Sequence, residues 1–383
     1  MAKQLKRQKK TTSGKLTLRD VCGAFQTIAP LELAQSWDNV GLLAGDENRP
    51  IHKLLLCIDL TPPVAVEAIK GGYDLVLAYH PPIFKPISRL TAACAGPEAA
   101  VFRLISAGIA VYTMHTALDA ADGGTNDVLA AMCGAAHTEP LEYVDRPGET
   151  ELKFVTFVPP ENLDAVADAL AAAGAGRIGE YARCSYRLEG YGTFQGSDAT
   201  NPAIGQAGVF ERVNETRIEM VCPASRLPAV TAALRAAHPY EEPAFDIYPL
   251  KPPPIRGIGR IGTLQRPTTL AQLAKKLKRA AQANCVQIVG DGERNVARVI
   301  CVVGAAGSLP FRTRLRPDDV IVTGEIRHHD ALTILRKGCT AIAMNHWTSE
   351  RPALKTIATR VTAILPKLVA TVSNADCEPF RPV

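Results

Sequence analysis

The stretch Leu75-Val-Leu-Ala-Tyr-His-Pro-Pro-Ile-Phe-Lys-Pro86 decides how this chain is organised. Its apolar run lies between Gly71-Gly72 and Pro81-Pro82, the length and flanks of a short buried strand. His80 stands where the run ends, and open α/β sheets gather ligands at the carboxyl ends of their strands. The two prolines fix their own φ and keep the chain extended, which gives the imidazole a stiff mount. Two other stretches end in the same way. Ile109-Ala-Val-Tyr-Thr-Met-His-Thr-Ala-Leu-Asp119 breaks into His115 and Asp119. Thr340-Ala-Ile-Ala-Met-Asn-His-Trp-Thr-Ser-Glu350 breaks into His346 and Glu350.

Three strand ends carrying imidazole and carboxylate are expected to assemble one site. Their nitrogen and oxygen donors suit Zn, Mn, Fe or Ni. No cysteine takes part, which favours an open, hydrolytic site over a structural zinc knot. His346 and Glu350 are spaced i,i+4 and face one ion if a helix begins near Trp347. His115 and Asp119 share that spacing, so His115 either ligates or orients Asp119 from behind.

Flanking segments offer further chemistry. Thr323-Gly-Glu-Ile-Arg-His-His-Asp330 follows a strand and opens a helix. It is either a polar helix start with Glu325 near the positive end of the dipole, or a general acid/base contact through Glu325 or His329. In Leu33-Ala-Gln-Ser-Trp-Asp-Asn-Val-Gly-Leu-Leu43, polar residues interrupt apolar ones at turn-like positions. This is a loop entering a strand, or a wall of the site with Asp38 or Asn39 behind the ligands. Gly304-Ala-Ala-Gly-Ser308 could present backbone N–H groups to phosphate but lacks the lysine of a P-loop.

At 383 residues, with 47% apolar and 21% charged side chains, the chain has the balance of a globular protein of two domains. No apolar run is long enough to span a bilayer, and the charged start lacks the apolar stretch of a secretory signal. The net charge of +5 is concentrated in residues 1–15, with Lys3, Lys6, Arg7, Lys9, Lys10 and Lys15 and no acid. Removing those six from 43 basic residues leaves 37 against 38 acids, so the body is near neutral and nucleic acid is not an expected partner. The ten cysteines include no Cys-x-x-Cys, and several sit in apolar runs; they imply a reduced, cytoplasmic setting.

Strands and helices alternate as far as residue 140, which implies a parallel sheet with helices on its faces. Residues 149–250 change style, to strand, helix, strands, helix, strand, the order of a ferredoxin-like sandwich. Lys251-Pro-Pro-Pro254 follows as a stiff linker, and α/β alternation resumes. The expected architecture is a disordered basic arm (1–15) and an α/β domain in two parts (16–148 and 251–383), interrupted by an α+β insert (149–250). His80, Asp119, His346 and Glu350 then share one domain.

Ser36-Trp-Asp-Asn-Val-Gly-Leu-Leu43, His80-Pro-Pro-Ile-Phe84, His115-Thr-Ala-Leu-Asp119, Thr323-Gly-Glu325 with His329, and His346-x-x-x-Glu350 together resemble the Nif-three-like family. That name abbreviates NGG-one-interacting factor three, and the family is also labelled GTP cyclohydrolase I type 2. The resemblance runs over residues 17–383. Gly174-Ala-Gly-Arg-Ile-Gly-Glu-Tyr181, Asn201-Pro-Ala-Ile-Gly205 and His238-Pro-Tyr-Glu-Glu242 are similar to the insert of its long members, which is PII/CutA-like. The resemblance implies a dinuclear divalent-metal site, ring-shaped homo-hexamers, and hydrolysis of a nucleotide or related heterocycle by a metal-activated water. It makes His80 and Asp119 ligands of one metal, His346 a ligand of the second and Glu350 the bridge, with His329 or Glu325 moving protons. The family's paired His-His-Pro is Tyr79-His80-Pro81 here. Tyrosine, with a pKa near 10, is a poor ligand for Zn or Mn, so one firm ion is expected and a weak or absent second. The same change supports an alternative, a non-catalytic metal-binding ring that uses the insert as a ligand sensor.

Overall fold

The computed structural model describes residues 15–94, 96–144, 151–250 and 255–382. Residues 1–14 of the expected basic arm and the expected linker Lys251–Pro254 lie outside them. The chain divides into two compact units, Met1–Asp145 with Pro254–Val383, and Arg146–Pro253.

The first unit holds two sheets. In one, the parallel strands Ala110–Thr113, Leu75–Ala78, Lys53–Cys57 and Val369–Val372 lie side by side, with Gly41–Ala44 antiparallel at the edge. Side chains on a strand alternate between faces. Here Leu54, Leu56, Leu75, Leu77 and Tyr112 join the core with helices Leu18–Ile28 and Pro352–Ile364. Leu55, Cys57, Val76, Ala78 and Val111 join another with helices Pro62–Lys70 and Pro97–Ser106. Burial on both faces is why these strands read as unbroken apolar runs. Truncating Leu77 to Ala would cost about 2–5 kcal/mol.

Local signals set the helix starts. Thr17 and Asp20 close a reciprocal capping box on Leu18–Ile28. Pro62 and Pro97 occupy first turns, where a missing N–H costs nothing.

The second sheet runs Gln287–Val289, Thr340–Ala343, Asp319–Glu325, Asn295–Ala305, Arg260–Thr269 and Ala135–Glu139, with the middle three pairings including two parallel ones. Val299, Cys301, Val320, Val322 and Ile342 pack with helices Leu270–Ala280 and Thr125–Cys133. Cys133 and Cys301 are free thiols there, Sγ to Sγ 3.7 Å.

The second unit has the order strand, helix, two strands, helix, strand. Its antiparallel sheet runs Phe245–Pro249, Glu151–Val158, Phe210–Pro223 and Tyr186–Gln195. Helices Leu163–Ala172 and Leu227–Ala237 bury Val166, Leu170, Val230 and Leu234 against Phe154, Ile218 and Met220. The glycine-studded stretch after residue 181 contains the exposed edge strand Tyr186–Gln195. Among the described residues, no helix is long and apolar enough to cross a membrane.

Candidate metal centre

The site lies where parallel strands of the first unit's two sheets end. His80 follows Ala78 by two residues, His115 follows Thr113 by two, and His346 follows Ala343 by three. The five-residue helix His346–Glu350 puts its first and last side chains on one face. Its cap, Asn345, has φ 70° and ψ 152°, a region almost reserved for glycine and worth about 1–3 kcal/mol of strain.

Among the described residues, ligand atoms of His80, His346 and Glu350 lie within 4.8 Å of one another. Glu350 stands between the imidazoles, with Oε2 3.4 Å from His80 Nε2 and Oε1 3.2 Å from His346 Nε2. Each imidazole is turned by a second carboxylate. His80 donates Nδ1–H to Asp59 Oδ1 at 2.9 Å, and His346 donates Nδ1–H to Glu325 Oε1 at 2.9 Å. A carboxylate only accepts, so Nδ1 of each ring carries a proton, and Nε2, which faces Glu350, carries a second one unless a cation takes its place. Histidine ligands of metals are oriented in this manner.

The donor set fits a divalent cation. Glu350 is 3% exposed, and its Oε2 is buried without a hydrogen bond. Such an atom is costly unless something positive faces it. Protons answer part of that demand. Burial alone would lower the His80 pKa, but Asp59 and Glu350 push it up to about 10. Glu350 raises His346 to about 9 against burial and the neighbouring His80. The two imidazoles in turn outweigh burial and hold Glu350 below the usual carboxylate range. Gly304 leaves the space open. A Cβ there would stand 2.6 Å from Glu350 Oε1 and 3.0 Å from His346 Nε2, and its φ of +60° favours glycine.

Asp119, expected among the ligands, stands outside this group. Its Oδ1 accepts hydrogen bonds from the hydroxyls of Tyr79, at 2.6 Å, and Thr125. Burial raises Asp119, while those hydroxyls pull the other way. Burial and Asp119 drive the Tyr79 phenol well above its ordinary pKa, so it remains neutral and donates to Asp119.

His115 lies beside the group, its ring 5.4 Å from that of His80. Asp38 orients it, accepting Nδ1–H at 2.9 Å and bonds from Thr116 N–H and hydroxyl. Burial opposes the charge of Asp38, yet the His115 and Thr116 hydrogen bonds hold its pKa low. Glu325 is 54% exposed and works through His346. His329 is exposed at the start of helix His328–Arg336, and among the described residues no hydrogen bond or ring contact joins it to the group. At the start of the Gly304–Ser308 turn, Gly304 borders this group: its N–H donates to Ser349 Oγ and its backbone lies beside Glu350.

Three contributors lacked a sequence signal. Asp59 acts on His80, 21 residues away, and Thr125 on Asp119, six residues away, neither at a spacing that marks a pair. Asn126, fully buried, joins the two edges: Nδ2 donates to the Asp119 carbonyl and Oδ1 accepts from Val303 N–H, next to Gly304. Trp37 and Phe84 form a rim, their ring centroids 6.0 Å apart, with Trp37 6.1 Å from His115. Asn39 ties that turn down by donating to the Ile83 carbonyl at 2.5 Å.

The structure is a mixed α/β protein in which His80, His346 and Glu350 at the strand ends form a triad that could hold a metal ion. The chain belongs to the Duf34/NIF3 (NGG1p interacting factor 3) family, whose model matches residues 16–379. It is 40% identical over 378 residues to a Mycobacterium tuberculosis protein named "GTP cyclohydrolase 1 type 2 homolog", covering 95% of this chain and 98% of that one. A Bacillus subtilis protein of the same name is 36% identical over 329 residues, with 85% and 87% covered. Among solved structures, a Bacillus cereus protein related to NIF3 matches with a TM-score of 0.73 and 31% identity, over 97% of this chain and 100% of that one.

Proposed function

We propose that this protein is a metal-dependent hydrolase acting on a nucleotide or related heterocycle, with one divalent ion held by His80, His346 and Glu350. The observation that carries the reading is the buried, unbonded Oε2 of Glu350 between two imidazoles that are each aligned by a carboxylate. An ion bound there supplies Lewis acidity toward a carbonyl, phosphoryl or ring carbon and its attacking water. The chain's own residues do the rest. Asp59 and Glu325 aim the imidazoles. Asp38 fixes His115 with Nδ1 protonated, leaving Nε2 to carry a substrate proton. Trp37 and Phe84 offer aromatic faces to a planar ring. The names of the relatives, "GTP cyclohydrolase 1 type 2 homolog", agree with a nucleotide-like substrate.

The reading includes a cytoplasmic homo-hexamer and a PII/CutA-like identity for the second unit, supported by its strand order. The alternative, a non-catalytic metal-binding ring, draws support from Tyr79, which replaces a possible ligand by a neutral phenol bonded to Asp119. Protein loaded with Mn or Zn and offered GTP separates the two. Ring opening or formate release that disappears in Glu350→Gln supports the hydrolase. Absence of turnover with any metal, while the ion still binds, rules it out.

A further inference from the structure

A cleft of about 590 Å³ opens in the Arg146–Pro253 unit along the edge strand Tyr186–Gln195. Its volume falls in the range of small-molecule sites. Phe157, Leu188, Tyr191, Phe194, Ile204 and Tyr240 wall it. The charges on its lining are one-sided. Glu189, Glu215, Glu241 and Glu242 border it, against Arg217 alone. That guanidinium is already paired, since its Nε donates to Glu219 Oε1 at 2.9 Å.

Two features fix polar side chains of its lining. The backbone N–H of Tyr240 donates to His238 Nδ1 at 3.1 Å, and His238 Nε2–H donates to the Phe157 carbonyl at 2.9 Å. Tyr240 is thus fixed on a rigid imidazole, and its buried hydroxyl stands beside the Glu215 carboxylate. Burial and the Glu215 carboxylate raise its pKa, which keeps the phenol neutral. Gly192 makes room for Glu215, because a Cβ at that position would collide with the carboxylate. Nearby, the guanidinium of Arg212 lies 3.5 Å over the Tyr191 ring, so one aromatic face at this edge already carries a cation.

We propose that this cleft binds a small organic cation, a protonated amine or guanidinium on an apolar or aromatic body. Aromatic faces attract a cation through their quadrupoles, and carboxylates outside a closed ion-pair network add to that attraction. A phosphate or carboxylate ligand would meet four like charges instead.

The test uses the full chain, dialysed against chelator so that amine coordination at the metal centre does not contribute. Calorimetric titration compares 2-phenylethylammonium with phenylacetate, similar in ring and length and opposite in charge. The ammonium is expected to bind at least about tenfold more tightly, a difference of about 1.4 kcal/mol. Glu215→Gln and Phe194→Leu should each weaken it by about tenfold with the melting temperature unchanged. If Glu215→Gln disturbs folding, Glu242→Gln takes its place. Equal or tighter binding of phenylacetate, no binding of either at millimolar concentration, or ammonium binding that survives both substitutions would overturn the proposal.

Discussion

The candidate metal centre and the cleft of the second unit handle charge in opposite ways. At the metal centre the imidazoles have partners on both sides, with Asp59 or Glu325 behind and Glu350 in front. In the cleft of the second unit carboxylates lie among aromatic walls, and the Tyr240 phenol stands beside Glu215. An inorganic ion needs donors fixed within a few tenths of an ångström, which rigid pairs of imidazole and carboxylate supply. An organic cation needs faces and diffuse negative charge, which rings and loosely held acids supply. The contrast suits the first to holding an ion, as proposed, and the second to the proposed organic cation.

Several substitutions would break or sharpen that contrast. Glu350→Gln should have the largest effect, lowering metal affinity by more than about 100-fold while leaving ammonium binding in the other unit intact. Competition with a chromogenic chelator measures it. Gly304→Ala belongs to the same class, since its Cβ would press on Glu350 and His346. Asp59→Asn and Glu325→Gln act only through the imidazoles they orient, and each should cost about 10–100-fold in metal affinity. If neither changes affinity, Asp59 and Glu325 do not aim the imidazoles toward an ion.

Acidity gives a signed test. In metal-free protein the folded pKa values of His80 and His346, about 10 and about 9, lie above the unfolded value of 6.5. The stabilisation from those protons is fully present below pH 6.5 and is lost as pH rises through the folded values. The metal-free melting temperature should therefore fall across that window, while metal affinity climbs as the ion displaces fewer protons. A flat metal-free profile would contradict the pairing with Glu350. Trp37→Ala should have the smallest effect, a loss of about 1–3 kcal/mol in nucleotide binding with metal content unchanged. Quenching of Trp37 fluorescence by GTP in a Trp347→Phe background reads the same contact directly.

The core strands were legible because both their faces are buried, so Leu75–Ala78 and Ala110–Thr113 read as apolar runs with polar tips. Helices beginning with Pro62 and Pro97 were legible from first-turn proline. The strand Tyr186–Gln195 was obscured because it is an exposed edge broken by Gly190 and Gly192, without an alternating apolar face. Nothing in the reading anticipated helix Pro352–Ile364 or strand Val369–Val372, which complete the first sheet and its cover. At the site, His80, His346 and Glu350 were visible as strand-end donors. The departure of Asp119 from that group follows from hydroxyls of Tyr79 and Thr125, one 40 residues away in sequence and the other six. The orienting acid Asp59 gave no signal, because a pairing across a fold has no local spacing.

The most direct test of the central claim is metal content per chain, measured by elemental mass spectrometry after loading with Zn or Mn and exhaustive buffer exchange. The account expects about one ion per wild-type chain, close to none in Glu350→Gln, and a second in Tyr79→His. Two ions in the wild type, or retention of one after loss of Glu350, would contradict it.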